Sequence, residues 1–248
     1  MSRNVQIGFS QRIQLEWLEM TANLILAGHT RSDIQMLLND FLQDKLSIGN
    51  NTKSTNRRKA ISILLKIWVG VPKNLEPLRN EGLEHLRRLP NEQHLSVHWG
   101  ITMAVYPFFG VVAETVGRLL RLQGTFAAAS VQRRIKEQLG DKETVSRAAR
   151  RVLRCFVDWG VLEDTSEKGI YQAAPLQFLE DKKLAAWLIE AALVASKADS
   201  GSVGAIAQSP ALFPFNVTQF NFRDLETNQR LDLFRQGLDE NMVALRKY

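Results

Sequence analysis

At 248 residues, with 45% apolar and 23% charged side chains, the chain has the balance of a folded protein rather than a disordered one, and it is long enough to bury a core. Its one cysteine, Cys155, excludes an internal disulfide and a cysteine-rich zinc cage and fits a reducing, cytoplasmic compartment. The net charge of +6 is concentrated: between Gly117 and Trp159 ten basic residues stand against four acids, while the other 22 basic and 22 acidic residues cancel, the distribution expected of a polyanion binder.

In chain order, residues 1–10 carry no apolar core of the secretory type, so no signal sequence is expected. Ile13, Trp17, Met20, Leu24 and Ala27 recur at helical spacing, and Gly28 is placed to end that run. A second helix is predicted over 32–46, with Ile34, Leu37, Leu38, Phe41 and Leu42 on one side. After the polar loop Gly49-Asn50-Asn51-Thr52, Ser54 or Thr55 can cap a third helix that runs to about Val69 and is closed by Gly70 and Pro72. Residues 99–113 are uncharged but interrupted by Gly100, Pro107 and Gly110, and they fall short of the roughly 20 apolar residues a membrane span needs. They read as buried helix kinked or broken at Pro107.

The central segment carries the strongest pattern. A packing helix is predicted over 108–122 through Val112, Val116, Leu119 and Leu120, and a second over 126–139 with Ala128, Val131 and Ile135 inward and Arg133 and Arg134 nearby. Gly140 breaks it. In 141–160, Val145, Ala148, Ala149, Val152, Phe156 and Trp159 share one face of a third helix, with Asp141 or Thr144 as its cap and Gly160 as its stop. Arg147, Arg150, Arg151 and Arg154, at i, i+3, i+4 and i+7, form a stripe on nearly the opposite side. A merely solvated face usually mixes signs, because Glu–Lys pairs at i, i+4 stabilise it. Four arginines with no acid among them repel one another unless an anion is present, and arginine forks onto phosphate or guanine better than any other side chain. Downstream, Val161-Leu162-Glu163 and Ile170-Tyr171-Gln172 are strand candidates around the turn-forming run from Asp164 to Gly169.

The order helix, helix, helix, hairpin, with the signature RRVLRCFVDWGVLED followed by GIYQAA, resembles the winged-helix family of DNA-binding modules. The resemblance covers about a quarter of the chain. It implies that the third helix enters the major groove, with Ser146, Arg147, Arg150, Arg151 and Arg154 facing DNA and Lys168 on the wing tip. Arg133, Arg134 and Lys142 are further candidate DNA contacts. Glu163, Asp164 and Glu167 on the same wing would repel phosphate, so the helix is the main expected contact, and many winged helices bind protein instead.

A second basic site, Lys53-Ser54-Thr55-Asn56-Arg57-Arg58-Lys59, sits at the predicted start of the third helix. Cations there oppose the helix dipole, so hydroxyls, free N–H groups and the side chains of Arg57, Arg58 and Lys59 form a candidate phosphate cradle, with a plain solvated helix start as the alternative. The order LNDFLQDKLS, a Ser/Thr-rich connection, then STNRRKAISILL is similar to the N-terminal helical region of BrxA proteins from BREX phage-exclusion systems. That likeness implies a small helical DNA-binding component of a multi-protein antiviral system.

Beyond the centre, a helix is predicted over 176–197, a flexible connection at Asp199-Ser200-Gly201-Ser202, an extended aromatic stretch over 213–222, and a final helix over 224–245. Catalytic motifs are missing: there is no GxxxxGK[ST], GxGxxG, GxSxG or HExxH. His94 and His98 are four apart, but Leu95 stands where HExxH needs Glu, so core or surface roles are expected rather than a metal site. Cys155 reads as a packing residue, and Trp17, Trp68, Trp99 and Trp187 as core.

The expected fold class is mainly α: a multi-helix scaffold with a central winged helix-turn-helix carrying one short β-hairpin, in regions 1–106, 107–175 and 176–248. The expected function is non-enzymatic binding of double-stranded DNA, without cofactor or metal, by a subunit of a prokaryotic phage-defence or DNA-processing complex. A free-standing transcription regulator and an adaptor for an acidic protein are the alternatives. Double-stranded DNA and other protein subunits are the expected partners, a homo-oligomer is open, and a membrane is not expected.

Overall fold

The computed structural model of the chain describes residues 7–46, 52–217, 222–237 and 240–246, with main chain alone at 52–54. Four helices open it: α1 (Leu15–Leu26), α2 (Arg31–Phe41), α3 (Thr52–Trp68) and α4 (Glu76–Arg88). Thr30 caps α2 reciprocally: its hydroxyl accepts the Asp33 N–H, and the Asp33 carboxylate accepts the Thr30 N–H. The predicted Asn-rich loop lies mostly outside the described residues.

Helix α5 (His94–Val105) is buried along all of its 12 residues. A helix apolar on every side must sit inside a core, and α1, α3 and α4 pack around it. Pro107 then opens α6 (Pro107–Gln123). Having no N–H, proline suits a first helical turn but cannot prolong the helix before it, and the chain bends by 118° at this break. This matches the expected buried, broken segment. Among the described residues no single helix is long and apolar enough to cross a membrane.

The chain continues through β1 (Thr125–Ala127), α7 (Ala128–Leu139), α8 (Glu143–Asp158), β2 (Leu162–Asp164) and β3 (Ile170–Ala173). The hairpin β2–β3 falls where the sequence placed it. β1, which the sequence read as the first turn of a helix, instead pairs antiparallel with β3, setting Phe126 opposite Tyr171 in a three-stranded sheet ordered β1-β3-β2. The Phe126 and Tyr171 rings, 5.8 Å apart, explain the preference: Phe126 is buried between sheet and helices. Gly140 takes a φ of 100° in the turn from α7 to α8, a conformation that costs glycine little.

The last third departs further from its reading. A short strand β4 (Gln177–Phe178) precedes α9 (Lys182–Ser196), which therefore begins six residues later than predicted, where the Asp181 carboxylate caps the Leu184 N–H. The flexible connection is strand β5 (Ser200–Ser202), followed by α10 (Val203–Ala207). The extended aromatic stretch holds β6 (Phe215–Asn216), parallel to β4, and its residues 218–221 lie outside the described set. The predicted final helix is a 3-10 turn (Phe222–Thr227) and an antiparallel pair, β7 (Leu231–Gln236) and β8 (Glu240–Leu245), with β5 on the far side of β8. Leu231 and Leu233 alternate with Asp232 and Phe234, a period of two rather than 3.6, and Gly237 at φ 68° turns the chain.

One aromatic cluster ties these parts together. Trp99 of α5 packs at 4.8 to 6.1 Å against Phe109 of α6, Phe156 and Trp159 at the end of α8, and Phe213 and Phe215. The buried core runs without interruption from Phe9 to Val243, and Trp17, Trp68 and Trp187 lie in it as expected.

Candidate nucleic-acid interface

Helix α8 is held by one side. Val145, Ala148, Ala149, Val152 and Phe156, with Trp159 just beyond its end, are buried as their spacing predicted. No side chain caps its start: Lys142 is the first flanking residue, and Asp141 pairs with Lys136 at 2.6 Å instead, so the predicted caps do not form.

A strap formed by residues 10–13 stitches α8 to the N-terminal body. The Ile13 N–H donates to Cys155 Sγ at 3.2 Å, Trp159 Nε1 donates to the Ile13 carbonyl at 2.9 Å, and Arg12 forks onto Asp158. Burial pushes the Cys155 thiol up to about 12, so it stays protonated and serves packing, as expected.

The predicted contact residues separate on this frame. Arg147, Arg150 and Arg154 are exposed. Arg151 is not part of that open face: its guanidinium turns back and donates to the Ser10 carbonyl, half-buried under the strap. Ser146 is also withdrawn from it. Its side chain is buried, donating to Gln132 Oε1 on α7 at 2.9 Å, because position 146 falls on the seam where α7 and α8 pack.

The acids nearby are engaged by the same helices. Glu143 lies 3.3 Å from Arg147 and Glu137 3.9 Å from Arg133, each one turn away along its own helix. Among the described residues no carboxylate is within ion-pair reach of Arg134, Lys142, Arg150 or Arg154. Lys168, exposed at the hairpin turn, is likewise unpaired, but Glu163, Asp164 and Glu167 are exposed around it. The hairpin tip thus keeps the mixed sign noted in the sequence, and the α7–α8 face keeps its positive one.

No family model, curated protein or solved structure matches the chain.

At the second basic cluster, α3 starts at Thr52, earlier than predicted. Arg57, Arg58 and Lys59 consequently lie beyond the first turn, and the expected cradle of first-turn N–H groups does not face them. The side chains of Lys53 and Ser54 lie outside the described residues. Arg57 is half-buried, with its Nε buried and unpartnered, whereas Arg58 and Lys59 are exposed. Sequence reasoning passed over two cations that the fold brings to this cluster, Arg31 from α2 and Lys66 from the end of α3. The i, i+4, i+8 spacing of Arg58, Ser62 and Lys66 was the available signal.

The histidine pair has a structural partner. His94 Nδ1 lies 3.1 Å and His98 Nε2 2.7 Å from the Glu19 carboxylate, which spans both rings from α1. Burial pushes the Glu19 carboxyl up, but the bonds to His94 and then His98 outweigh it and hold its pKa well below the usual range. The Glu19 bond raises His94, whereas burial lowers His98. Among the described residues no three His, Cys, Asp or Glu side chains gather as a metal site.

Proposed function

We propose that this chain is a non-enzymatic double-stranded DNA-binding protein. In this reading residues 107–175 work as a winged helix-turn-helix whose helix α8 enters the major groove, and the chain serves as a subunit of a prokaryotic phage-defence or DNA-processing complex. The observation that carries the reading is the exposed face of α7 and α8. Arg134 on α7, Lys142 in the turn, and Arg150 and Arg154 on α8 are all exposed and, among the described residues, have no acidic partner; the two helices are joined by a tight turn and contact the sheet β1-β3-β2. Unneutralised arginine on a rigid helix is the arrangement that contacts phosphate and base edges without reorganising. The order helix, helix, helix, hairpin that carries the resemblance is present as α6, α7, α8 and β2–β3, with β1 paired to β3 beside the hairpin, and this supports the reading. The subunit reading would place the apolar side chains of Leu122, Leu176 and Phe178, each at least half exposed, against partner proteins.

Fluorescence anisotropy of a labelled duplex over a salt series tests this. Wild type is expected to bind at micromolar concentration or tighter, with affinity falling as salt rises, and Arg147→Ala/Arg150→Ala/Arg154→Ala to show a much shallower salt slope. Arg151 stays in place because it holds the strap. Equal slopes would move the site off α8, and no binding by wild type at low salt would leave an adaptor for an acidic protein as the better reading.

A further inference from the structure

A second cationic surface lies apart from α8. On α2, Arg31, Gln35 and Asn39 stand at i, i+4 and i+8, and on α3 Arg58, Ser62 and Lys66 do the same. Both rows line one open groove of about 780 Å³. The helices run in opposite directions along it: Arg31 lies over Gly70, at the end of α3, where an added Cβ would come within 2.7 Å of its guanidinium. Arg31 and Lys66 therefore mark one end of the groove and Arg58 the other, with Gln35, Asn39 and Ser62 between them beside the exposed Met36 and the buried Ile61 and Leu65. The opposite flank of the row Arg58, Ser62, Lys66 is a hollow of about 490 Å³ that adds Lys59, Thr55 and Ser10. Among the described residues no carboxylate lines either recess, and none of Arg31, Arg58, Lys59 and Lys66 has an acid within ion-pair distance.

We propose that the groove between α2 and α3 and its adjoining hollow hold the sugar–phosphate backbone of duplex DNA, as a second contact beside the segment on α8. Residues eight apart on a helix are separated by about 12 Å. The cations of one row thus reach different phosphates, since each strand carries one charge per roughly 3.4 Å of axis. Hydroxyl and amide donors between them suit phosphate oxygens and read no base. A single strand would want exposed aromatic faces for stacking. Among the described lining residues the one aromatic ring, Tyr106, is buried with Lys66 over it at 4.8 Å. The groove also connects to α8: Ser10, which lines the hollow, accepts from Arg151 through its carbonyl, so residues 8–12 bridge the two positive surfaces. The identity of the polyanion rests on the duplex reading of α8.

The test is duplex anisotropy over a salt series with Arg31→Gln/Arg58→Gln and with Arg31→Gln/Arg58→Gln/Lys66→Gln, alongside the α8 triple alanine variant. Arg31 and Arg58 are exposed, so the double variant keeps the fold even where removing Lys66 from Tyr106 does not. The slope of log affinity against log salt should become shallower by about 2 in the double and about 3 in the triple variant, since each lost phosphate contact is worth about 0.9. A wild-type slope in both groove variants, with loss only in the α8 variant, overturns the groove and leaves α8 standing. Loss in the groove variants with an unchanged α8 variant upholds the groove and removes α8. Wild type that leaves duplex free at low salt overturns both, and tighter binding of single strand than duplex overturns the backbone contact.

Discussion

Arg151 donates to the main-chain carbonyl of Ser10, 141 residues away, while its neighbour Arg150 points into solvent. Two adjacent arginines on one helix thus have separate tasks. One fastens the N-terminal strap to α8, together with the Arg12–Asp158 pair, and the other belongs to the open basic face. Only the direction of the side chain distinguishes them.

Arg151→Ala should therefore lower stability by about 1.5–3 kcal/mol, the usual worth of a hydrogen bond from a charged group. Arg150→Ala should stay within about 0.5 kcal/mol of wild type, as exposed substitutions do. Duplex affinity should behave in reverse, falling about tenfold for Arg150→Ala, within the range for one lost arginine contact. Urea melts and anisotropy on the same preparations measure both. A stability loss as large for Arg150→Ala would contradict the division of roles.

Ser146 gives a second test. Its hydroxyl bridges α7 and α8 through Gln132, inside the seam. Ser146→Ala leaves the Gln132 amide short of a partner and should cost about 1 kcal/mol, while duplex affinity per folded molecule stays at the wild-type value. Weaker binding without a change in the urea midpoint would return Ser146 to the contact face.

These two residues also show what the sequence could and could not disclose. The apolar face of α8 was legible because Val145, Ala148, Ala149, Val152 and Phe156 repeat with a helical period, and periodicity is a local property. Which polar residues on the other side are free is not local. Ser146 is claimed by a helix fourteen residues upstream, and Arg151 by a strap at the other end of the chain. The C-terminal sheet was missed for a related reason. Leu225, Leu231, Leu233, Phe234 and Leu238 suggest a helix when counted together, yet Leu231 and Leu233 lie on one face of a strand only once β8 is there to pair with it. The groove between α2 and α3 needed Arg31 brought across from another helix, although the spacing of Arg58, Ser62 and Lys66 was visible.

Acid should destabilise the protein through His85. The ring is buried on α4, edge-on to Trp187 at 5.9 Å, and burial pushes its pKa down to about 4. Asp181 opposes that shift, and Arg88, Lys183 and Arg230 add to it. A histidine whose folded pKa lies below its unfolded value of about 6.5 contributes stability that is present above 6.5 and lost as pH falls towards the folded pKa. His98 is shifted in the same direction, and Glu19 loses its contribution as pH falls below the ordinary carboxylate range. His94, raised by Glu19, runs the other way: its contribution is full below 6.5 and is lost above it. Urea midpoints of wild type should thus fall from pH 6.5 to 4. In His85→Gln that dependence should be shallower by close to one proton, about 1.4 kcal/mol per pH unit at most. Parallel pH profiles would show that His85 titrates normally in the fold.

The C-terminal sheet is fastened to the helical body through a buried carboxylate, and this gives the largest expected effect. Glu190 of α9 is 3% exposed and takes both arms of Arg230, at 2.8 and 2.7 Å, and the Asn228 amide at 2.6 Å, while Arg230 also pairs with Glu81 of α4. These bonds satisfy both oxygens of a charge that would otherwise be stranded in the core. Arg230→Met strands the buried Glu190 carboxyl without its partner and should cost about 3–5 kcal/mol, the usual penalty for breaking a buried pair from one side. Glu190→Gln in the same background removes the stranded carboxyl and should restore part of that loss. The double-mutant cycle, read from urea midpoints, separates the two cases. If Arg230→Met alone is nearly neutral, the pair does not hold the sheet in place, and the attachment rests on Leu225, Leu231 and Val243 in the core instead.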